Sequence, residues 1–211
     1  MGPASANLLL MALPASLRTR LEALGHVVRL DKGQILFNIG DALDHVYFPT
    51  AGLVSLMVLT SDGGSVEVAA VAREGVVGLP VILNAVESPH QAIVRLPGRA
   101  LRLRTEHVLA KSDGRESLGT LLLESANRSG AEVAQAVACQ CFHSVSQRCA
   151  RWLLTASDRT NSDTLELTHE SLASVLGVAR PVVTKAALGL SDRRSDPLPP
   201  RAADNCEPPP P

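Results

Sequence analysis

Thr168, His169 and Glu170, followed closely by Arg180, Pro181, Thr184 and Lys185, are the residues whose types and spacing could do chemistry. A threonine hydroxyl can accept hydrogen bonds from the first N–H groups of a helix, and an early glutamate complements the helix dipole. Pro181 fits the first turn of a second helix, where its missing N–H costs nothing. Arg180, Thr184 and Lys185 then fall on the outer side of that helix, near its start. Cations placed there can donate to guanine O6 and N7 or to phosphates. The chemistry is recognition of double-stranded DNA.

These residues need two short helices and a tight turn to hold them. Leu172, Ala173, Leu176 and Val178 give the first helix an apolar side. Gly177 ends it, because the position after a helix usually needs a left-handed backbone. Val183, Ala186, Ala187 and Leu190 give the second helix its inner side. This is the pattern of a helix-turn-helix, which lays its second helix in the major groove. A plain helical hairpin on some other domain shares the spacing, so the rest of the chain has to decide.

The chain has 211 residues, enough for one large or two small domains. A hydrophobic content of 45% supports a packed core, and 2% aromatics leave that core to Leu, Val and Ala. Net charge is −1, so any attraction to nucleic acid must be local; Arg148, Arg151 and Arg159 supply one such cluster. No apolar run approaches the ~20 residues that span a bilayer, and no membrane partner is expected. The first twenty residues lack a basic segment before their short apolar run. They read as an amphipathic helix rather than a signal peptide, and a cytoplasmic location is the expectation.

Cys139 and Cys141 next to His143 raise the question of a metal. Residues two apart on a helix point about 200° apart and cannot share one ion, so no metal site is expected. The cysteines, Cys149 and Cys206 included, read as buried or reduced thiols without a disulfide framework. His45, His90 and Ser65 form no nucleophile–base motif, and no enzyme activity is expected.

Residues 7–24 carry apolar positions at helical spacing and predict one helix. From His26 to Arg104 the texture changes to short runs: HVVRL, QILF, HVYFP, LVSLMVL, SVEVAAV, QAIVRL and ALRL. Breaks at Asp31-Lys32-Gly33, Gly40-Asp41, Ser61 to Gly64 and Pro97-Gly98 predict a β-roll, barrel or sandwich. Residues 115–139 predict a long helix. Its stripe of Leu118, Leu122, Ser125 or Ala126, Ser129, Val133 and Val137 suits either a second copy of itself or a single core. A further helix is predicted from Ser144 to Asp158, then a short strand from Thr164 to Leu167. Four segments follow: an effector domain (1–112), a dimerisation helix (113–141), a helix-turn-helix domain (142–190) and a disordered Pro-rich tail (191–211). In the tail, Pro197, Pro199, Pro200 and Pro208 to Pro211 exclude a strand ladder. A shifted reading frame and a natural disordered tail both fit this break.

This order resembles the Crp/Fnr family of bacterial transcription regulators. The resemblance is carried by GDALDHVYFPTAGLVSL, EGVVGLPVIL, HSVSQRCARWLLTASDR and LTHESLASVLGV. It implies an α+β fold: an N-terminal cyclic-nucleotide-binding-like β-roll, a long dimerisation helix and a C-terminal winged helix-turn-helix, here truncated before its wing. It implies a homodimer on a palindromic site in double-stranded DNA, with Arg180, Pro181, Thr184 and Lys185 on the groove face, Thr168, His169 and Glu170 near the phosphate backbone, and RNA polymerase as a further partner. An effector in the roll would shift the two recognition helices. Weaker DNA binding is expected without a wing.

The family's best-known effector, cyclic AMP, is held by a Gly-Glu pair and an Arg-Ser pair. Here Val76 stands at the Glu position of Gly75-Val76-Val77-Gly78, and His90 stands at the Arg position of Ser88-Pro89-His90-Gln91-Ala92. A neutral His cannot replace an Arg fork on a phosphate, so cyclic AMP is not expected. Glu74, Gly75, Val76, His90 and Gln91 remain either the lining of a pocket for an unidentified effector or an ordinary surface turn. No cysteine precedes Cys139, so the family's N-terminal Fe–S cluster is not expected. The alternative from another class is a β-roll sensing or dimerisation module that no longer binds DNA.

Overall fold

Turns at the expected Gly and Asp clusters cut residues 26–71 into β1 (His26–Leu30), β2 (Ile35–Phe37), β3 (His45–Leu59) and β4 (Ser65–Val71), with β5 (Gln91–Arg104) after a long loop. The computed structural model describes residues 7–110 and 118–192. All pairings are antiparallel. The order is β1-β5-β3-β4, with β2 also on β5.

Seven predicted runs become five strands, because two breaks do not interrupt the ladder. HVYFP and LVSLMVL are one strand, and so are QAIVRL and ALRL. Pro97-Gly98, expected as a turn, lies inside β5. Gly98 sits against the backbone of Ala51, where a Cβ would have no room, and Gly52 opposite takes φ +87°. Register shifts at Pro49, Ala51 and Leu53 absorb the irregularity as a bulge, so the strands bend and continue.

The single N-terminal helix is also corrected. Pro14 divides it into α1 (Leu8–Met11) and α2 (Ala15–Leu24). Asn7 pins the entry: its Oδ1 accepts from the N–H groups of Leu9 and Leu10, and its Nδ2 donates to Pro49 O at 3.0 Å and Gly75 O at 2.8 Å. Between β4 and β5 a 3-10 helix runs from Leu79 to Leu83, and α3 (Thr105–Leu109) leaves the roll.

The long helix α4 spans Leu118–Phe142. The front of its predicted stripe, Leu118, Leu122 and Ser125, is buried against its own roll rather than left for a second copy. A different stripe is exposed, formed by Leu123, Asn127, Gly130, Ala134, Val137 and Cys141 at spacings of three and four. A capping box between Ser144 and Gln147 starts α5 (Val145–Thr160). The expected strand at Thr164–Leu167 does not form. Ser162 Oγ donates to Thr164 O at 2.8 Å and accepts from Thr164 N, which turns the chain locally instead of leaving those groups to a ladder. The last elements are α6 (His169–Leu176) and α7 (Arg180–Asp192). The wing and tail expectations concern residues that lie almost wholly outside those described.

Two cores result. One fills the roll around Leu30, Val46, Phe48 and Leu103. The other joins Leu53, Ala72 and Leu96 of the roll to Cys149, Trp152, Leu172 and Val183 of the helices. Among the described residues no single helix is long and apolar enough to cross a membrane.

Candidate nucleic-acid interface

Backbone signals build the helix pair as the sequence predicts. Thr168 caps α6, its Oγ1 accepting from Ser171 N at 3.1 Å, with Glu170 in the first turn. Gly177 ends α6 with φ +63°, the left-handed geometry that favours glycine. Pro181 lies in the first turn of α7. The two helices are bent 106° from each other, within the range of DNA-reading helix pairs. Val183 is 0% exposed, and Leu172, Ala173, Leu176 and Ala186 are buried with it. Val178, Ala187 and Leu190 are half-buried, and Val175 joins the buried set unforeseen.

The predicted contact residues share one surface. Thr168, His169, Glu170, Arg180, Pro181 and Lys185 are exposed, and Thr184 is half-buried. His169 Nδ1 lies 3.0 Å from Thr184 Oγ1, which ties the start of α6 to the face of α7. Thr184 Oγ1 also donates to Arg180 O at 3.2 Å. Among the described residues neither Arg180 nor Lys185 forms an ion pair. Both cations are therefore available to phosphates or base edges.

The expected basic cluster on α5 is mostly engaged inside the chain. Arg159 pairs with Glu132 at 2.7 Å and Glu74 at 3.4 Å and donates to Ala70 O. Arg148 donates to Leu176 O at 3.1 Å and to Gln140. Arg151 remains exposed.

The five expected effector residues do not come together in one cavity. Glu74, Gly75 and Val76 line a small cleft against α4, and neither His90 nor Gln91 belongs to it. Val76 is buried. Glu74 turns back to accept from Ala72 N at 3.1 Å. Ser88 Oγ holds the backbone of His90 in a local turn, while Gln91 Nε2 donates to Asn38 Oδ1 at 3.0 Å. Burial lowers the pKa of His90, which favours the neutral ring and makes it a poor phosphate partner. Among the described residues no cluster of His, Cys, Asp and Glu suits a metal ion. Cys139 and Cys149 are buried, while Cys141 is exposed.

Sequence reading missed the contacts that hold the helix pair on the roll. Trp152 Nε1 donates to Glu67 Oε1 at 2.7 Å, and Glu67 also accepts from Ser55 Oγ. Arg95, 8% exposed, donates to Ser55 Oγ and to Ser174 Oγ, both at 3.3 Å; Ser174 Oγ lies 3.0 Å from Ser65 Oγ. Gly177 packs on Val66. The signal was present: Glu67 is the one charge in SVEVAAV and Arg95 the one charge in QAIVRL, two mostly apolar runs.

Two family models match the chain: the cyclic nucleotide-binding domain over residues 27–113, and the Crp-like helix-turn-helix domain over residues 147–194. No curated protein sequence matches. Among solved structures, the chain is similar to the c-di-GMP-responsive global regulator CLP of Xanthomonas campestris, at 16% identity with a TM-score of 0.70, covering 86% of this chain and 93% of that one. It is similar to FixK2 of Bradyrhizobium japonicum, at 16% identity with a TM-score of 0.69, covering 81% and 86%. A Crp/Fnr family regulator from Eubacterium rectale gives 16% identity and a TM-score of 0.68, covering 88% and 87%. At these identities the structures show the shared fold.

Proposed function

We propose that this chain, which belongs to the Crp/Fnr family of transcription regulators, acts as a homodimer that presents two copies of α7 to a palindromic site in double-stranded DNA. The observation that carries this reading is the exposed Arg180 and Lys185, which form no ion pair among the described residues, at the start of a helix bent 106° from a capped partner. Dimerisation is supported by the exposed stripe of α4, where Leu123 is 54% and Val137 59% exposed and the positions between them include Gly130 and Ala134. Small residues on such a stripe let two helices approach closely. The signal is read as a ligand other than cyclic AMP, because Val76 and a neutral His90 replace the groups that would hold its ribose and phosphate. RNA polymerase is a further partner in this reading. DNA affinity is expected to be weaker than in a winged relative, since Val182 leaves apolar surface exposed on α7.

Selection of genomic fragments by the purified protein tests DNA recognition. Enrichment of a palindromic sequence is expected, and an empty selection favours a roll module that no longer binds DNA. Ala134→Arg tests the dimer. It places a cation on the exposed stripe, and sedimentation is expected to show monomers with an unchanged fold; a persistent dimer contradicts pairing along α4.

A further inference from the structure

One carboxyl group lies at the centre of the seam between the roll and the helices. Glu67, on β4, is held by Trp152 of α5 at 2.7 Å and by Ser55 of β3. Ser55 is bonded by Arg95 of β5, which continues to Ser174 of α6. A cavity of about 80 Å³ opens beside Glu67, with room for a few water molecules. The charged and titratable groups around it come from each packed element: Arg95 from β5, Glu132 and the Cys139 thiol from α4, and Arg148, Arg151 and Arg159 from α5. From α6 the lining is apolar, Val175 and Leu176.

We propose that Glu67 is a proton-operated latch: protonated, it keeps α5 and α6 docked on the β3–β4 hairpin, and loss of its proton loosens the seam. The neutral carboxyl still accepts from the Trp152 indole and the Ser55 hydroxyl, and it brings no charge into the buried seam. The ionised carboxylate is less well served. Arg95 is shared with Ser55 and Ser174, and Arg159 is engaged by Glu132 and Glu74. Burial pushes the Glu67 carboxyl up to about 7, although both hydrogen bonds and both arginines pull the other way. In the undocked form the same group meets water and titrates in the ordinary glutamate range. The docked form therefore holds the proton more tightly. Docking is strongest below the ordinary glutamate range, weakens by about tenfold per pH unit as pH rises toward 7, and levels off above it.

The latch rests on the reading of α6 and α7 as the DNA-contacting pair only for its consequence on DNA. Its test uses the whole protein without DNA. The sequence contains one tryptophan, Trp152, so intrinsic emission reports this seam alone. Emission and amide exchange of β4 and α6 are followed from about pH 5 to about pH 9. Emission is expected to change near pH 7, where the docked carboxyl loses its proton, and amide protection relative to the intrinsic exchange rate is expected to fall as pH rises toward 7 and then level off. Glu67→Gln is expected to hold emission and amide protection constant across the range. Ser55→Ala removes a hydrogen bond that favours the charged form, so the midpoint is expected to move upward; this variant decides the matter if Glu67→Gln does not fold. A transition that persists in Glu67→Gln overturns the latch, and so does a midpoint that stays or falls in Ser55→Ala. Failure to bind DNA at any pH would overturn the proposed function and leave the latch standing.

Discussion

At the α6–α7 pair, His169 and Thr184 come from opposite sides of the turn and meet at 3.0 Å, with Arg180 and Lys185 exposed and in no ion pair among the described residues. At the loop of residues 74–91, the polar groups close on their own surroundings. Glu74 accepts from Ala72 N and faces Arg159 through Oε1, while its Oε2 is buried without a hydrogen-bond partner, and His90 is held by the Ser88 turn. One region presents polar groups outward on a rigid helix frame. The other uses its polar groups to fix a loop. An outward cation with no ion pair among the described residues is available to a partner, whereas the Glu74 Oε1 bonded to Ala72 N and the neutral His90 in its tight turn are already committed. The difference favours the helix pair as the binding surface.

The comparison can be broken most severely by Val183→Asp. The new carboxylate would be buried without a partner in the second core, at a cost of several kcal/mol. DNA binding should vanish and α6–α7 amides should exchange freely, while residues 74–91 keep their protection. Joint loss of both regions would show that they are one cooperative unit. Next in size, Arg180→Ala or Lys185→Ala should each cost about 1–3 kcal/mol of DNA affinity where the lost contact reads a base. Where it touches a phosphate, binding should weaken across all sequences and the salt slope should drop by about 1. Gel shifts at several salt concentrations distinguish the two. Gly177→Ala should cost about 1 kcal/mol of stability, since φ +63° disfavours a side chain and the new methyl would lie 3.2 Å from Val66 Cγ2. Thermal melting checks it. The smallest effect is expected at His90→Ala, within about 0.5 kcal/mol in stability and without change in DNA affinity. A large loss there would restore the loop as a binding site.

The helix pair was legible because caps and turns are local. Thr168, Gly177 and Pro181 each act on backbone groups within a few residues, so type and spacing suffice. The strand segments were legible from their breaks, except where Gly52 and Gly98 meet across two strands and turn a break into a bulge. The stripe of α4 left two readings open because periodicity gives a face without saying what lies against it. The roll, not a second copy, covers Leu122 and Ser125. Glu67 and Arg95 were missed because their partners lie far away in sequence: Trp152 for Glu67, and Ser55 and Ser174 for Arg95. No local rule links such positions.

Contact between DNA and the exposed cations of α7 is read out by the affinity of the whole protein for its selected fragment as a function of salt, with Arg180→Ala/Lys185→Ala alongside. A linear fall of log affinity with log salt is expected, and a shallower slope in the double variant because fewer counterions are released. Absence of salt-dependent binding, or identical slopes for both proteins, would contradict it.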